Sequence, residues 1–396
     1  MARKIVTSLD VGTKTIRVVV AEYAKRDAPP AIVALVEKES RGLRQGYIVN
    51  FDDVVESIQS ALAEASKKSG HKIRRVGLAM GGATLSSSIA EGSTAIARAD
   101  QEITALDIKR AAEASESSLK DALNKQVLHA IPISYKLDGK RVLGRAIGLK
   151  GSQLEVRTLF ITALSQHVTE LENAITAAGA AVEDITAAPI AASFVSLSKV
   201  QKMAGCILAH IGAETVSTIV FEEGIPVSLA VLPIGSNDVT NDIALGLKIP
   251  MEEAEEIKLG RREPTITRKK LEEIMTARLE DIFELIESHL RKIGRSGLLP
   301  AGIILTGPAA TLPLVETVAR DVLGLPARRL PEIPALFTSH ASGDDSIRKQ
   351  TISSAWSPAY GLTVLGGDFE AEESLGIKLV KETRNNFIYW LKQLMP

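Results

Sequence analysis

The residues with most chemical promise lie at two turns. Asp10-Val11-Gly12-Thr13-Lys14-Thr15 joins β-rich runs at 5–9 and 18–20. His210-Ile211-Gly212-Ala213-Glu214-Thr215 joins similar runs at 207–209 and 218–220, an offset of 200 residues. A glycine among small residues lets backbone N–H groups approach phosphate oxygens, and an aspartate at such a tip can hold hydrated magnesium. Two such tips facing one another would clamp a triphosphate. A purely structural hairpin is the alternative, since Asp and Gly are ordinary turn residues. Other chemistries lack their patterns: the histidines (71, 129, 167, 210, 289, 340) never fall at metal-ligand spacing, and no G-x-S-x-G, Walker A or G-x-G-x-x-G sequence occurs.

Positioning such tips requires two similar halves, and each hairpin opens about half of the chain, which predicts an internal duplication. Between the hairpins the pattern alternates between helix and strand. Residues 52–69 place Val54, Val55, Ile58, Ala61, Leu62 and Ala65 at helical spacing before a Gly70 stop. Residues 271–293 repeat Leu271, Ile274, Met275, Leu279, Ile282, Phe283, Ile286 and Leu290 among charges, a long amphipathic helix. Residues 301–306 form a buried strand running into Gly307-Pro308. The fold class is α/β.

With 396 residues, 45% of them hydrophobic, the chain has enough apolar material for two or three packed domains. A single cysteine, Cys206, excludes an internal disulfide and fits a reducing compartment. A formal net charge of -1 and only 4% aromatic residues argue against a nucleic-acid partner. The opening residues show no export signal, and no apolar run reaches the roughly 18 residues of a spanning helix, so the expected compartment is the cytosol.

Several segments, in this order and spacing, carry a resemblance. They are Ser40-Arg-Gly-Leu-Arg-Gln-Gly46 with Ile48-Val-Asn50, and Val127-Leu-His-Ala-Ile-Pro132. Then come Leu232-Pro-Ile-Gly-Ser-Asn-Asp-Val-Thr-Asn-Asp-Ile243, Ala254-Glu-Glu-Ile-Lys258 and Ala301-Gly-Ile-Ile-Leu-Thr-Gly307. Along nearly its whole length the chain resembles the FtsA family of bacterial cell-division proteins, within the actin, DnaK-type chaperone and sugar-kinase superfamily. The resemblance implies an actin-like two-domain fold with duplicated ribonuclease-H-like cores, an inserted small subdomain and a C-terminal amphipathic helix. The implied division is a first core at 1–82, continued by 165–198 and 351–366, with the insert at 83–164. The second core spans 199–243 and 300–350, with a helical subdomain at 244–299. A linker at 367–382 and a terminal helix at 383–396 follow.

The resemblance also implies an ATP and magnesium cleft between the domains. In it Asp10, Gly12, Thr13, Lys14 and Thr15 form the first phosphate loop, Asp10 holding magnesium through water, and Gly212 and Thr215 belong to the second. Gly235 and Ser236 would lie near the phosphates. Glu255 and Lys258 would frame the ribose and base, unless they are only an exposed i,i+3 ion pair. Gly307 would begin the adenosine turn. Three residues depart from the family pattern. His210 stands for an aspartate, Glu214 for a glycine or small residue, and Pro308 for a second glycine. A histidine is mostly neutral at pH 7 and cannot replace a carboxylate around hydrated magnesium. A carboxylate about 4 Å from a phosphate charge costs about 4 kcal/mol at an effective dielectric of 20. Glutamate also tolerates positive φ poorly, and Pro308 removes an N–H. The expected result is weakened ATP binding with weak or absent hydrolysis, unless Glu214 swings outward and the turn adapts.

The last nineteen residues carry Lys378, Lys381, Arg384 and Lys392 against Glu382, a sum of +3. At 100° per residue, Phe387, Ile388, Trp390, Leu391, Leu394 and Met395 gather into an arc of roughly 160°. That pattern suits a helix lying in a bilayer interface, its cations near anionic headgroups, although a terminal amphipathic helix can also dock on its own domain. Family members end in such an anchor. The resemblance therefore implies a peripheral scaffold on the cytoplasmic face of the membrane at the division site. It would polymerise with itself, bind the C-terminal peptide of the tubulin-like FtsZ at 244–299, and meet other division proteins. Two rival readings are a PilM-like component of type IV pilus assembly and an ATP-dependent phosphotransferase.

Overall fold

The computed structural model describes residues 4–23, 29–119, 123–264, 266–339 and 346–366. Within them the duplication appears as two sheets built the same way. In the first half, Lys4–Val11 and Thr15–Tyr23 form an antiparallel hairpin, and Ala31–Glu39 joins its outer strand. Arg75–Met80 and then Ala181–Ala187 add in parallel on the other side. In the second half, Cys206–Ile211 and Val216–Glu222 form the hairpin, and Ile225–Leu232 pairs with its outer strand. Ile303–Thr306 and Ala327–Arg329 add in parallel. Counted along each half, the five strands common to both sheets read third-second-first-fourth-fifth, the ribonuclease-H-like order. Glu332–Ser339 with Ser346–Ser353, mostly from the stretch expected in the second core, extend the first sheet beyond Ala31–Glu39.

Parallel neighbours need helical crossovers, which cover both faces of a sheet. That is why the first hairpin is buried on both faces rather than on alternate residues: in Thr15–Tyr23 every residue after Thr15 is buried, Arg17 and Glu22 included. The Phe51–Ser69 helix supplies part of the cover. Asn50 caps it, accepting from the Asp53 N–H at 3.4 Å, and Asp52 and Asp53 lie in the first turn. Lys67 and Lys68 oppose the dipole at the other end, and Gly70 stops the helix at φ 71. It buries Val54, Ile58, Ala61, Leu62 and Ala65 in the first-half core, each large aliphatic contributing about 1.5–3 kcal/mol. The Arg268–Lys292 helix buries Leu271, Met275, Leu279, Ile282, Phe283, Ile286 and Leu290 in the second-half core.

Between the fourth and fifth strands of the first half the chain departs to build Ser86–Ala95, Lys125–Leu137, Lys140–Val142 and Gln153–Leu164, covered by the Ala105–Ser117 helix. These strands extend the second sheet, joined to it by the Ala230↔Ser86 pair. The Ser87 hydroxyl strengthens the seam, donating to the Leu229 carbonyl and accepting the Leu229 N–H, both at 2.8 Å. Against the first sheet, the helices Ala188–Ser196 and Ser357–Gly366 pack closely on one another, and a Cβ on Gly361 would stand 1.9 Å from the Ala191 carbonyl. Residues 367–396, with the linker and the amphipathic segment, lie outside the described residues. Among the described residues no helix is long and apolar enough to cross a membrane.

Candidate functional site

Both hairpin tips close with the same bond. The Gly12 N–H donates to the Thr15 carbonyl at 3.1 Å, and the Gly212 N–H to the Thr215 carbonyl at 2.9 Å. A Cβ on Gly12 would lie 2.9 Å from its carbonyl partner and one on Gly212 3.0 Å from its own. Neither glycine has positive φ, so close approach, not left-handed backbone, requires glycine here. Glu214 is also absent from the positive-φ residues, and the backbone cost expected of a glutamate there does not arise.

The tips share one cavity of about 260 Å³. Asp10, Gly12, Thr13, Lys14 and Thr15 line it from the first half, and Gly212 and Thr215 from the second. Ser236, Glu255 and Lys258 complete one side, while His210, Glu214 and Pro308 also reach the lining. Gly235 and Gly307 stand just behind it. Gly235 is the N-cap of the Ser236–Leu247 helix, and a Cβ there would lie 2.4 Å from the Ala213 carbonyl. Gly307, at φ 89, donates its N–H to Ser354 Oγ at 3.1 Å and leads into the Pro308–Thr311 turn of 3-10 helix. Pro308 occupies a first-turn position, where the missing N–H has no partner to lose within the helix.

Glu255 and Lys258 are not an exposed pair. The Lys258 ammonium is buried, 2.7 Å from Glu255 Oε2, 2.7 Å from Thr240 Oγ1 and 3.0 Å from the Ser236 carbonyl. Thr240 Oγ1 donates to the same Glu255 oxygen at 2.6 Å. The other oxygen, Oε1, takes Lys14 Nζ at 2.8 Å, so this carboxylate ties the first tip to the second half. Burial alone would raise the Glu255 pKa, but hydrogen bonds from Lys14, Lys258 and Thr240 outweigh it and bring it to about 2. Burial lowers that of Lys258, with Glu255 opposing.

Glu214 does not swing away. Its Oε2 accepts the backbone N–H of Gln45 at 2.6 Å, a second link between the halves. Deeper in, burial raises the Asp10 carboxyl to about 6, with Arg17 pulling the other way. Burial holds the His210 imidazole down to about 3, helped by Arg17, so it is neutral at pH 7. His210 Nδ1 lies 3.3 Å from Thr306 Oγ1. This donor set fits a magnesium ion poorly. Asp10 is a single carboxylate, its counterpart is a neutral imidazole, and Arg17 faces both. Among the described residues no three His, Cys, Asp or Glu side chains group as metal ligands.

Sequence reasoning missed Arg17, Gly46 and the Gly81-Gly82 pair, all in the lining. For Arg17 a signal existed: in the hairpin register it pairs with Asp10, so both project to one face. Its guanidinium donates to Glu37 Oε2 at 2.7 Å and lies 5.8 Å from the Trp356 ring centre. The glycines gave less warning, because their role is to let Gly46 and Gly82 touch: a Cβ on Gly46 would be 2.4 Å from Gly82 Cα.

A family model described as cell division protein FtsA matches residues 207–355, and one described as an SHS2 domain inserted in FtsA matches 82–162. The cell division protein FtsA of Borreliella burgdorferi is 31% identical over 351 residues, covering 83% of this chain and 84% of that protein. That of Pseudomonas aeruginosa is 30% identical over 347 residues, 82% of each. Among solved structures, a chain of the PilM–PilN type IV pilus biogenesis complex superposes with TM-score 0.64 at 17% identity, covering 92% of this chain and 99% of that one. MreB5 of Spiroplasma citri bound to AMPPNP gives 0.51 at 12% identity, covering 94% and 99%. At such identities the structural likeness speaks for the fold alone, an actin-like two-domain fold.

Proposed function

The chain belongs to the FtsA family of cell-division proteins, and from that premise we propose that it is an actin-like scaffold tethering FtsZ to the cytoplasmic face of the membrane at the division site. The observation that carries this reading is identity of 30–31% sustained over about four fifths of the chain. The pilus-complex likeness is of fold, at 17% identity, and does not compete with it.

Three activities follow on this reading. Phe387, Ile388, Trp390, Leu391, Leu394 and Met395 would enter the acyl boundary, with Lys381, Arg384 and Lys392 near anionic headgroups. One short helix binds reversibly, so self-association into filaments would supply the avidity that holds the scaffold down. The FtsZ C-terminal peptide would dock on the helical region at 244–299.

The cleft is assigned to an adenine nucleotide. In support, both tips bring small residues and glycines to one cavity, and Leu259, Ala309 and Leu312 give it an apolar wall suited to a base. Lys14 and Arg17 lie where phosphate charge would come. The poor fit to magnesium and the neutral His210 favour binding without efficient hydrolysis; restoring an aspartate with His210→Asp should raise affinity for the magnesium complex.

Imaging the purified chain on anionic lipid monolayers, with and without ATP and then with FtsZ, tests the whole reading. Lipid-bound assemblies that capture FtsZ are expected. A chain that stays off the lipid, or that binds it without retaining FtsZ, would contradict the assignment.

A further inference from the structure

We propose that Glu214 is a built-in stand-in for a terminal phosphate, so that the cleft takes a nucleoside diphosphate in preference to a triphosphate. The inference rests on the nucleotide-cleft reading above and assigns the ligand class of that same site.

Glu214 stands on the second tip, in the cavity wall, and its carboxylate is fixed rather than free. Oε2 accepts the Gln45 backbone N–H at 2.6 Å, the short distance of a charge-assisted bond. The loop that offers this N–H is pinned from several sides. Gly46 N–H donates to Thr13 Oγ1 on the first tip at 3.2 Å. The Ala83 N–H donates to the Gln45 carbonyl at 3.0 Å, and His167 Nε2 lies 2.6 Å from the Gly46 carbonyl. Gln45 itself holds φ 50, a left-handed conformation that a non-glycine residue adopts only when its surroundings impose it. The carboxylate therefore bridges the second tip and the Gln45–Gly46 loop with its donor already supplied, in the wall where an anion at the end of a phosphate chain would otherwise be received.

The neighbouring donors are committed as well. At the start of the Ser236–Leu247 helix, the Ser236 N–H donates to the Gly212 carbonyl at 2.9 Å and the Asn237 N–H to the Ala213 carbonyl at 2.8 Å. Those are backbone groups of the kind that cradle phosphate at a helix N-terminus, and here the second tip uses them. The cations are matched too: Lys14 and Lys258 to Glu255, and Arg17 to Glu37. A third phosphate would bring its charge to a place that already holds a fixed carboxylate, while a diphosphate stops short of it. One contact thus does what a terminal phosphate does in a clamp, closing the Gln45–Gly46 loop over the tips. That loop abuts Gly82 and Ala83, where the chain departs into the insert, so the closed arrangement does not depend on a triphosphate.

The test is equilibrium binding of ADP and the non-hydrolysable AMPPNP to the full chain, with magnesium and with EDTA. Wild type should bind ADP at least about tenfold more tightly, a screened fraction of the unscreened like-charge repulsion. Glu214→Gln keeps an acceptor for Gln45 while removing the charge, and should bring the two affinities within about twofold by tightening AMPPNP. Glu214→Gly, with circular dichroism to verify folding, provides the second variant and should do the same. Equal or tighter AMPPNP binding by wild type, or an ADP preference unchanged in both variants, would overturn the inference and leave the nucleotide cleft standing. If neither nucleotide binds wild type or either variant, the cleft reading itself fails and takes this one with it.

Discussion

Asp10→Asn should stabilise the protein above pH 6 and do almost nothing below pH 4. Asp10 is 8% exposed as a residue, and burial raises its carboxyl pKa from 3.8 to about 6, against the pull of Arg17. Below about pH 4 the folded and unfolded chains both hold the proton, and the group contributes no penalty. Between pH 4 and 6 the folded chain binds the proton more tightly than the unfolded one, so stability falls as pH rises. Above pH 6 the buried charge costs its full amount. A shift of about two units at 1.36 kcal/mol each makes that roughly 3 kcal/mol, an order-of-magnitude figure. Asparagine keeps the shape and has no charge to desolvate, so it recovers the difference. Urea unfolding of wild type and variant at pH 4, 5, 6, 7 and 8 reads it out, because groups distant from the site cancel in the difference. The gap should open from near zero at pH 4 to a plateau by pH 7. A gap that is constant with pH, or a variant less stable at pH 7, would show that Asp10 is not held near neutrality by burial. The same variant removes the only carboxylate the first tip offers to a cation, so any magnesium dependence of nucleotide binding should fall with it.

Lys258→Met should destabilise the chain by roughly 2–4 kcal/mol in urea unfolding, since it removes the buried cation paired with the charged Glu255 and one of the donors to the Ser236 carbonyl. A loss under about 0.5 kcal/mol would mean the ammonium is better solvated than its burial indicates. Gly361→Ala should cost more than about 3 kcal/mol or prevent soluble expression, because its Cβ would meet the Ala191 carbonyl at 1.9 Å; near-wild-type melting would show that the two helices can part. Trp390→Glu with Leu391→Glu should abolish co-sedimentation with anionic vesicles, and unchanged binding would remove the terminal segment from the anchor role.

Much of this protein was legible in the chain itself. The offset of 200 residues between two Gly-centred turns gave the duplication, because a tip closed by a glycine N–H onto the carbonyl three residues on needs glycine at one position and tolerates little else. The helices at 51–69 and 268–292 followed from apolar spacing, and the Gly70 stop from its place after the last buried turn. Lys14 stands in the first of those turns, and Glu255 and Lys258 in one of the ordered segments that carry the family resemblance.

What they do there could not. An i,i+3 pair looks the same in sequence whether it is solvated or buried, and only packing against Thr240 and the Ser236 carbonyl turns Glu255 and Lys258 into a buried network that Lys14 ties to the first half. Glu214 reads as a misplaced charge until Gln45, 169 residues away in the chain, offers it an N–H. Arg17 reads as one more strand residue until folding buries it opposite Asp10, where its charge acts on both that carboxyl and His210. Local spacing fixes turns and helices because those depend on neighbours in sequence. Protonation, charge pairing and the closing of a cleft depend on which distant groups share a low-dielectric space, and only the folded chain decides that.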